Sequence, residues 1–494
     1  MITGITIENF KGIREPVHLD LRPITLLFGA NSAGKSTILH ALHYAREVFE
    51  RHNLDADQTI AGGKYIDLGG FQHFMNGQDK ALAMDPQKQL RIRVDLNVSS
   101  KDLPSFDPDL SVLSTLEFVF DSIIKSISTA SVEVAIGWST MESCPYVTST
   151  TVFFDDIEFA TIAATPNLRG VAVRFTRVII DPIDATKKTE VSTLDHPSLT
   201  RAAEAWSDDD PSTCPYGEQS LTQLGLSRCQ HLLSATSGQI DLSGKGDALP
   251  PLDRPLECDF EPFSSIEDNE TAYDSFQRKN LAQQLVLALS ELILGPCQLV
   301  RDGLREFRYL GPLRDTPARV YDPPRFPDPS RWSSGLGARD SLYKGKDELV
   351  NAVGQWLGDE SHLNSGCTLE RRFYLELDAA DPVVRKLINR QAFDGVDDDD
   401  QVDFSQVPMK SHIVIVPMNS DMELRPHDVG IGISQVVPVI VTALDGEKRL
   451  LAIEQPELHI HPRLQAAIAD LFIEAIHKQQ HCSIIETHSE HLIL

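Results

Sequence analysis

The chain has 494 residues, more than one hydrophobic core ordinarily organises, so two or more lobes are expected. Hydrophobic residues make up 41% and charged residues 24%, a balance that excludes wholesale disorder and residence within a membrane. A formal charge of −27 excludes bulk attraction to a phosphate backbone, so any DNA contact has to come from a local basic patch.

The opening segment, Met1–Phe10, alternates like a strand and lacks the basic-then-apolar layout of a secretion signal, which points to an intracellular, cytoplasmic chain. Residues 2–8 and 24–28 read as short strands around a polar turn at Lys11–Arg14. From Ser36 to Glu50 the apolar residues Ile38, Leu39, Leu42, Ala45, Val48 and Phe49 recur at helical spacing. Between 88 and 182 the pattern changes to β runs rich in Thr, Val and Phe: Leu90–Val98, Ser114–Phe120, Ser131–Trp138, Tyr146–Phe154 and Val171–Ile180. These predict an antiparallel β lobe inserted after the first helix.

Residues 183–306 form a helical and irregular middle region, with helices expected around Ser198–Trp206 and Gln219–Ser234 and a stronger one from Thr271 to Leu304. Phe307–Leu310, Phe373–Leu377 and His412–Pro417 read as strands, and the acidic run Asp394–Asp403 reads as a solvated loop, with metal binding as the alternative. The longest apolar stretches, Leu285–Leu294 and Val436–Leu444, are about half of a bilayer span, so no transmembrane helix is expected. The seven cysteines, at 144, 214, 229, 258, 297, 367 and 482, include no CxxC pair and are expected as free thiols.

Gly29-Ala30-Asn31-Ser32-Ala33-Gly34-Lys35-Ser36, followed by Thr37, fits GxxxxGK[ST] at every defined position and lies between an apolar strand and an amphipathic helix. Glycines let successive backbone N–H groups turn inward around a phosphate, and the helix start offers its positive dipole end. Lys35 is placed to reach the β- and γ-phosphates of ATP, and Ser36 to give its hydroxyl to Mg²⁺.

Near the other end, Arg449–Glu454 is a buried-strand run closing on a carboxylate, the form of a Walker B strand, whose acid faces the Mg²⁺ shell. Upstream, Gly430, Gly432, Ser434 and Gln435 lie on a glycine-rich turn opening an apolar helix, a second anion-binding pattern. Downstream, a strand from Ser483 runs to His488, which is placed to hydrogen-bond a γ-phosphate.

In this motif order the chain resembles the ABC-type ATPases of the SMC/RecF/OLD group, often described as AAA-family ATPases. The resemblance is carried by Ile5–Gly12, by Glu454-Gln-Pro-Glu-Leu-His-Ile-His-Pro462 and by Thr487–Leu492, and it covers roughly residues 1–75 and 410–494. It implies an α/β fold: a P-loop ABC-type head built from residues 1–87 and 307–494, with the β lobe and the middle region between them. It also implies a homodimer or higher oligomer of heads, with each signature turn acting in trans on the partner's ATP. Gln72 is the implied metal-sensing glutamine.

Most such heads end the Walker B strand on Asp-Glu, whereas this chain has Glu454-Gln455. A glutamine orients a water but takes no proton, so Glu457 and His488 are the candidate substitutes. Glu457 capping a turn is the competing reading. His459 and His461 alternate as metal ligands would, though a place in the loop at the subunit junction explains them better. Arg314, in Tyr309–Asp315, is read either as reaching phosphate or the dimer seam or as a salt-bridged turn.

No nuclease-type acidic cluster follows His488, so an effector or nuclease is expected on a separate polypeptide. The implied function is ATP-dependent head pairing that regulates this partner, by analogy in DNA repair or anti-phage defence. The alternative is a scaffold or sensor that binds ATP and barely hydrolyses it.

Overall fold

The computed structural model describes residues 1–30, 34–77, 85, 87–98, 102–103, 106, 127–180, 188–192, 196–197, 239–243, 246–258, 272–319, 321–378, 380, 409–420, 422–446 and 449–492. The strand expected at Ser114–Phe120, the helices expected around Ser198–Trp206 and Gln219–Ser234, the acidic run Asp394–Asp403, and Cys214 and Cys229 lie outside the described residues. In chain order the strands and helices begin with β1 (Ile2–Glu8), β2 (Val17–Asp20), β3 (Ile24–Phe28), α1 (Lys35–Arg51), α2 (Phe71–Phe74) and β4 (Leu90–Asn97). Then come β5 (Thr129–Ser139), β6 (Cys144–Phe154), β7 (Ile157–Ala164), β8 (Val171–Arg174), β9 (Thr176–Ile180), β10 (Lys188–Ser192), β11 (Gln239–Asp241) and α3 (Ala272–Arg305). The remainder is β12 (Arg308–Leu310), α4 (Leu336–Lys344), α5 (Asp347–Gly358), β13 (Cys367–Leu375), β14 (Met409–Pro417), α6 (Ile431–Leu444), β15 (Leu450–Glu454), α7 (Pro462–Gln479) and β16 (Cys482–Thr487).

The chain divides into two compact units, one of Met1–Thr25 with Gly29–Phe307 and one of Leu26–Phe28 with Arg308–Leu494. The first unit is organised by an eight-stranded sheet in the order β11-β8-β7-β6-β5-β4-β1-β2, antiparallel at each junction. Strict alternation fixes its register. In β4, Leu90, Ile92, Val94 and Leu96 are buried while Arg91 and Asn97 face water. The opening strand β1 pairs directly with β4, so the N-terminal strand and the β-lobe strands share one sheet.

Three local readings differ from the sequence expectation. The run Val171–Ile180 is two strands, β8 in the large sheet and β9 paired with β10. Strand β7 was not anticipated, because the β6–β7 hairpin turns on Asp155 and Asp156, at φ 49° and 64°, rather than on glycine. The strand expected at Phe373–Leu377 begins earlier, since β13 pairs with β14 from Cys367 onward.

The second unit holds a four-stranded sheet in the order β12-β15-β16-β3, with β15 parallel to both β12 and β16. Parallel strands covered on both faces read as continuous apolar runs, and all five residues of β15 and all six of β16 are buried. Among the described residues no helix is long and apolar enough to cross a membrane, and the five described cysteines are free thiols.

Candidate nucleotide site

The GxxxxGK[ST] segment lies in the first unit. Gly29 follows the last residue of β3, the edge strand of the four-stranded sheet, and α1 begins at Lys35. Gly34 caps that helix at φ 89°, a left-handed backbone that a side chain would strain. The first turn of α1 carries no acid, which leaves its N-terminal dipole uncompensated by the helix's own side chains. The Lys35 ammonium donates to the carbonyls of Gly29 at 3.0 Å and Ala30 at 2.9 Å, so the lysine lies along the loop itself. Ser36 and Thr37 are half-buried in the first turn, and Asn31, Ser32 and Ala33 lie outside the described residues.

Below the loop, α1 is anchored by polar groups. Arg46, 4% exposed, bonds the Phe307 carbonyl and Glu50, and the buried Glu47 accepts from the Ile60 amide. Gln72 sits half-buried on α2.

The second unit carries two buried acids. Glu454 ends β15 at 9% exposure and accepts a hydrogen bond from the Tyr309 hydroxyl at 2.8 Å. On β16, Glu486 stands in register beside it, 5% exposed. Burial pushes Glu454 up to about 7; the Glu486 charge adds to this rise, while the Tyr309 bond and Arg314 oppose it. Two buried carboxylates thus stand side by side on adjacent strands.

The chain then turns sharply. Gln455 adopts φ 45°, its amide bonded to the Glu486 carbonyl at 2.7 Å. Glu457 Oε1 accepts from the His488 amide at 2.9 Å, and its buried Oε2 has no hydrogen-bond partner among the described residues. His488 is exposed. Glu457 therefore joins the turn after β15 to the end of β16, with its second carboxylate oxygen enclosed and unpaired among the described residues.

His459 is exposed at φ 63°, and His461 caps α7, its Nδ1 accepting from the Arg463 amide at 3.2 Å. Among the described residues no group of three or more His, Cys, Asp and Glu is arranged to hold a metal.

The glycine-rich turn is split by burial. Gly430 and Ile431 are exposed and Gly432 half-buried, whereas Ser434 and Gln435 are 3% and 5% exposed. Ser434 accepts from Arg339, and Gln435 exchanges two hydrogen bonds with the Arg314 backbone. Arg314 is also buried, and its guanidinium meets the carbonyls of Glu454 and Gln455. Burial draws both arginines down to about 10. Sequence reasoning assigned no role to Glu486 or Arg339. The signal for Glu486 was the repeat of an apolar strand closing on Ile-Glu, at Ile453-Glu454 and again at Ile485-Glu486.

A glycine-bearing loop feeding a helix, and a buried parallel strand ending in an acid, define a P-loop ATPase head. The chain belongs to the AAA ATPase domain family, whose sequence model matches residues 1–128 and 372–493, just over half of its length. A comparison with curated proteins gives no match. Among solved structures the chain is similar to an SmcHead bound to the C-winged helix domain of ScpA, at 11% identity and a TM-score of 0.34 over 100% of this chain and 90% of that one. An Smc head domain with an extended coiled coil, bound to the C-terminal domain of ScpA derived from Pyrococcus furiosus, matches with the same identity, score and coverage. The SMC head domain from Thermotoga maritima matches at 7% identity and a TM-score of 0.33, again over 100% and 90%.

Proposed function

We propose that the chain hydrolyses ATP with Mg²⁺, and that ATP-dependent pairing of two heads regulates a separate effector or nuclease. The observation that carries the reading is the pair of buried carboxylates, Glu454 and Glu486, in the sheet whose edge strand runs into Gly29. Buried acids side by side fit a cation, and Mg²⁺ is ordinarily held by one or two carboxylates together with substrate phosphates. When bound, Mg²⁺ offsets charge on the phosphate oxygens.

In this reading Lys35 and the amides of Gly29–Thr37 bind the triphosphate, and Ser36 and Glu454, with Gln72, face the metal. Glu457 takes a proton from the attacking water through the oxygen left without a partner, Gln455 orients that water, and His488 borders the γ-phosphate. The exposed turn Gly430–Gly432 presents its amides to the partner head, while Ser434 and Gln435 hold the helix that carries it. A homodimer or a higher oligomer satisfies this arrangement, and DNA repair or anti-phage defence is the proposed setting.

Gln455 at the position of an acid favours a second reading, a nucleotide-dependent scaffold or sensor with little turnover. Steady-state phosphate release separates the two. Under the first, wild type turns over repeatedly, Lys35→Ala loses activity together with ATP binding, and Glu457→Gln slows turnover about a hundredfold with binding retained. Tight ATP binding without turnover, unchanged by Glu457→Gln, would establish the second. Native mass with and without ATP tests pairing under either.

A further inference from the structure

We infer that Arg314 is a positioning residue that ties the Walker B turn to the signature helix, so that movement of the helix is transmitted to Gln455 and Glu457. The catalytic consequence rests on the ATPase reading above; the mechanical link does not. Arg314 is 4% exposed and is held from two directions. Its amide donates to Gln435 Oε1 at 3.3 Å, and Gln435 Nε2 donates back to the Arg314 carbonyl at 2.8 Å. Its guanidinium Nη2 donates to the carbonyls of Glu454 at 2.8 Å and Gln455 at 3.1 Å, while Nε and Nη1 have no hydrogen-bond partner among the described residues.

The residue so gripped is not an ordinary one. Gln455 is a non-glycine residue at φ 45°, a conformation that persists only where its surroundings enforce it. Its amide is fixed by the Glu486 carbonyl and its carbonyl by Arg314 and the Leu458 amide, so releasing Arg314 removes part of what holds the turn. The buried guanidinium makes its hydrogen bonds to two main-chain carbonyls rather than to a carboxylate, with Glu457 and Glu454 near it as attracting charges. Both bonds come from Nη2, which lies one bond further along the side chain than a lysine ammonium, so Arg314→Lys withdraws the donor from them.

The same helix is held one residue earlier by a second buried arginine, since Arg339 donates to the carbonyl and hydroxyl of Ser434. Residues 434 and 435 of α6 are therefore both locked into the unit, and Gln435 is the one whose lock continues to the Walker B turn. The path is short and covalent apart from two hydrogen-bonded steps: Gln435 side chain, Arg314 backbone, Arg314 side chain, Gln455 carbonyl.

Amide hydrogen exchange of the full chain tests the link without relying on turnover. In Gln435→Ala and in Arg314→Lys the segment 455–461 should exchange about tenfold faster than in wild type, although Gln435 does not touch it. The double variant should exchange no faster than Arg314→Lys alone. Gln435→Met removes both hydrogen bonds while keeping the side-chain length, so it should match Gln435→Ala and serves if the alanine variant fails to fold. With ATP, Arg314→Lys should lower kcat about tenfold while KM moves less than about threefold. Unchanged exchange in the Gln435 variants, or additive effects in the double variant, would overturn the link. Exchange coupling in a wild type that does not hydrolyse ATP would leave the link standing and remove the ATPase reading.

Discussion

Tyr309 shows how much one hydroxyl can matter in this unit. It donates to Glu454 at 2.8 Å, in a place where Glu486 stands in register and adds repulsion. Tyr309→Phe leaves the ring volume in place and deprives a buried acceptor of a donor, so a stability loss of about 1–3 kcal/mol is expected in chemical denaturation. A loss below about half a kcal/mol would mean that water replaces the hydroxyl. Two glycines make a complementary pair at the same scale. A Cβ on Gly354 would lie 2.6 Å from the Leu369 carbonyl oxygen, which is backbone and has little room to give, whereas nothing lies within 4 Å of one on Gly12. Gly354→Ala should therefore cost about 1–3 kcal/mol and Gly12→Ala under about half a kcal/mol, read as the separation of their melting curves from wild type.

Elements were legible in proportion to how local their signal is. Helix α1 and strands β1, β15 and β16 carry their whole pattern within the segment: helical apolar spacing, alternation, or an unbroken buried run. Strand β2 does not, because none of its four residues is buried. Helix α4 buries Arg339 and Asp340, which read as surface residues until their partners are known: Ser434 for one, Arg331 and Tyr321 for the other. In α5, Gly354 and Gly358 look like helix breakers but allow close approach to β13. The site divides the same way. Glu454 and Glu457 follow from spacing along one strand and turn, while Glu486 matters only because β16 lies beside β15. His461 was weighed as a metal ligand on the strength of alternation with His459, and the geometry makes it a helix cap. Its Nδ1 accepts the Arg463 amide just before Pro462 opens α7, so His461→Ala should cost about 1 kcal/mol and His461→Asp should recover most of it in thermal unfolding. Equal melting of the alanine variant and wild type would refute the cap.

Acid should destabilise the whole molecule, because each unit buries histidines that resist protonation. In the first unit, burial and Lys11 draw His40 down to about 4, and burial draws the fully enclosed His43 well below its usual value. In the second, His481 is 1% exposed, neither ring nitrogen has a hydrogen-bond partner among the described residues, and burial with Arg449 and Arg308 nearby lowers it to about 4. A depressed histidine contributes stability in full above about pH 6.5, its unfolded value, and loses it as the pH falls toward 4, since the unfolded chain then binds the proton that the folded one refuses. For His481 the loss is on the order of 3 kcal/mol across that window. Glu454 acts in the opposite sense: raised to about 7, it gains stability as the pH falls from 7 toward its ordinary 4.5. Among the described residues His412 is depressed as well, making four such histidines against the raised His52, Glu133 and Glu454, so the net direction is loss. The melting temperature should therefore fall between pH 7 and pH 5, and His481→Phe, which removes the titrating ring while filling its space, should move the acid-unfolding midpoint to lower pH. Coincident melting curves at pH 7 and pH 5 would contradict the burial of these rings in both units, and a fall that His481→Phe leaves untouched would confine the effect to the first.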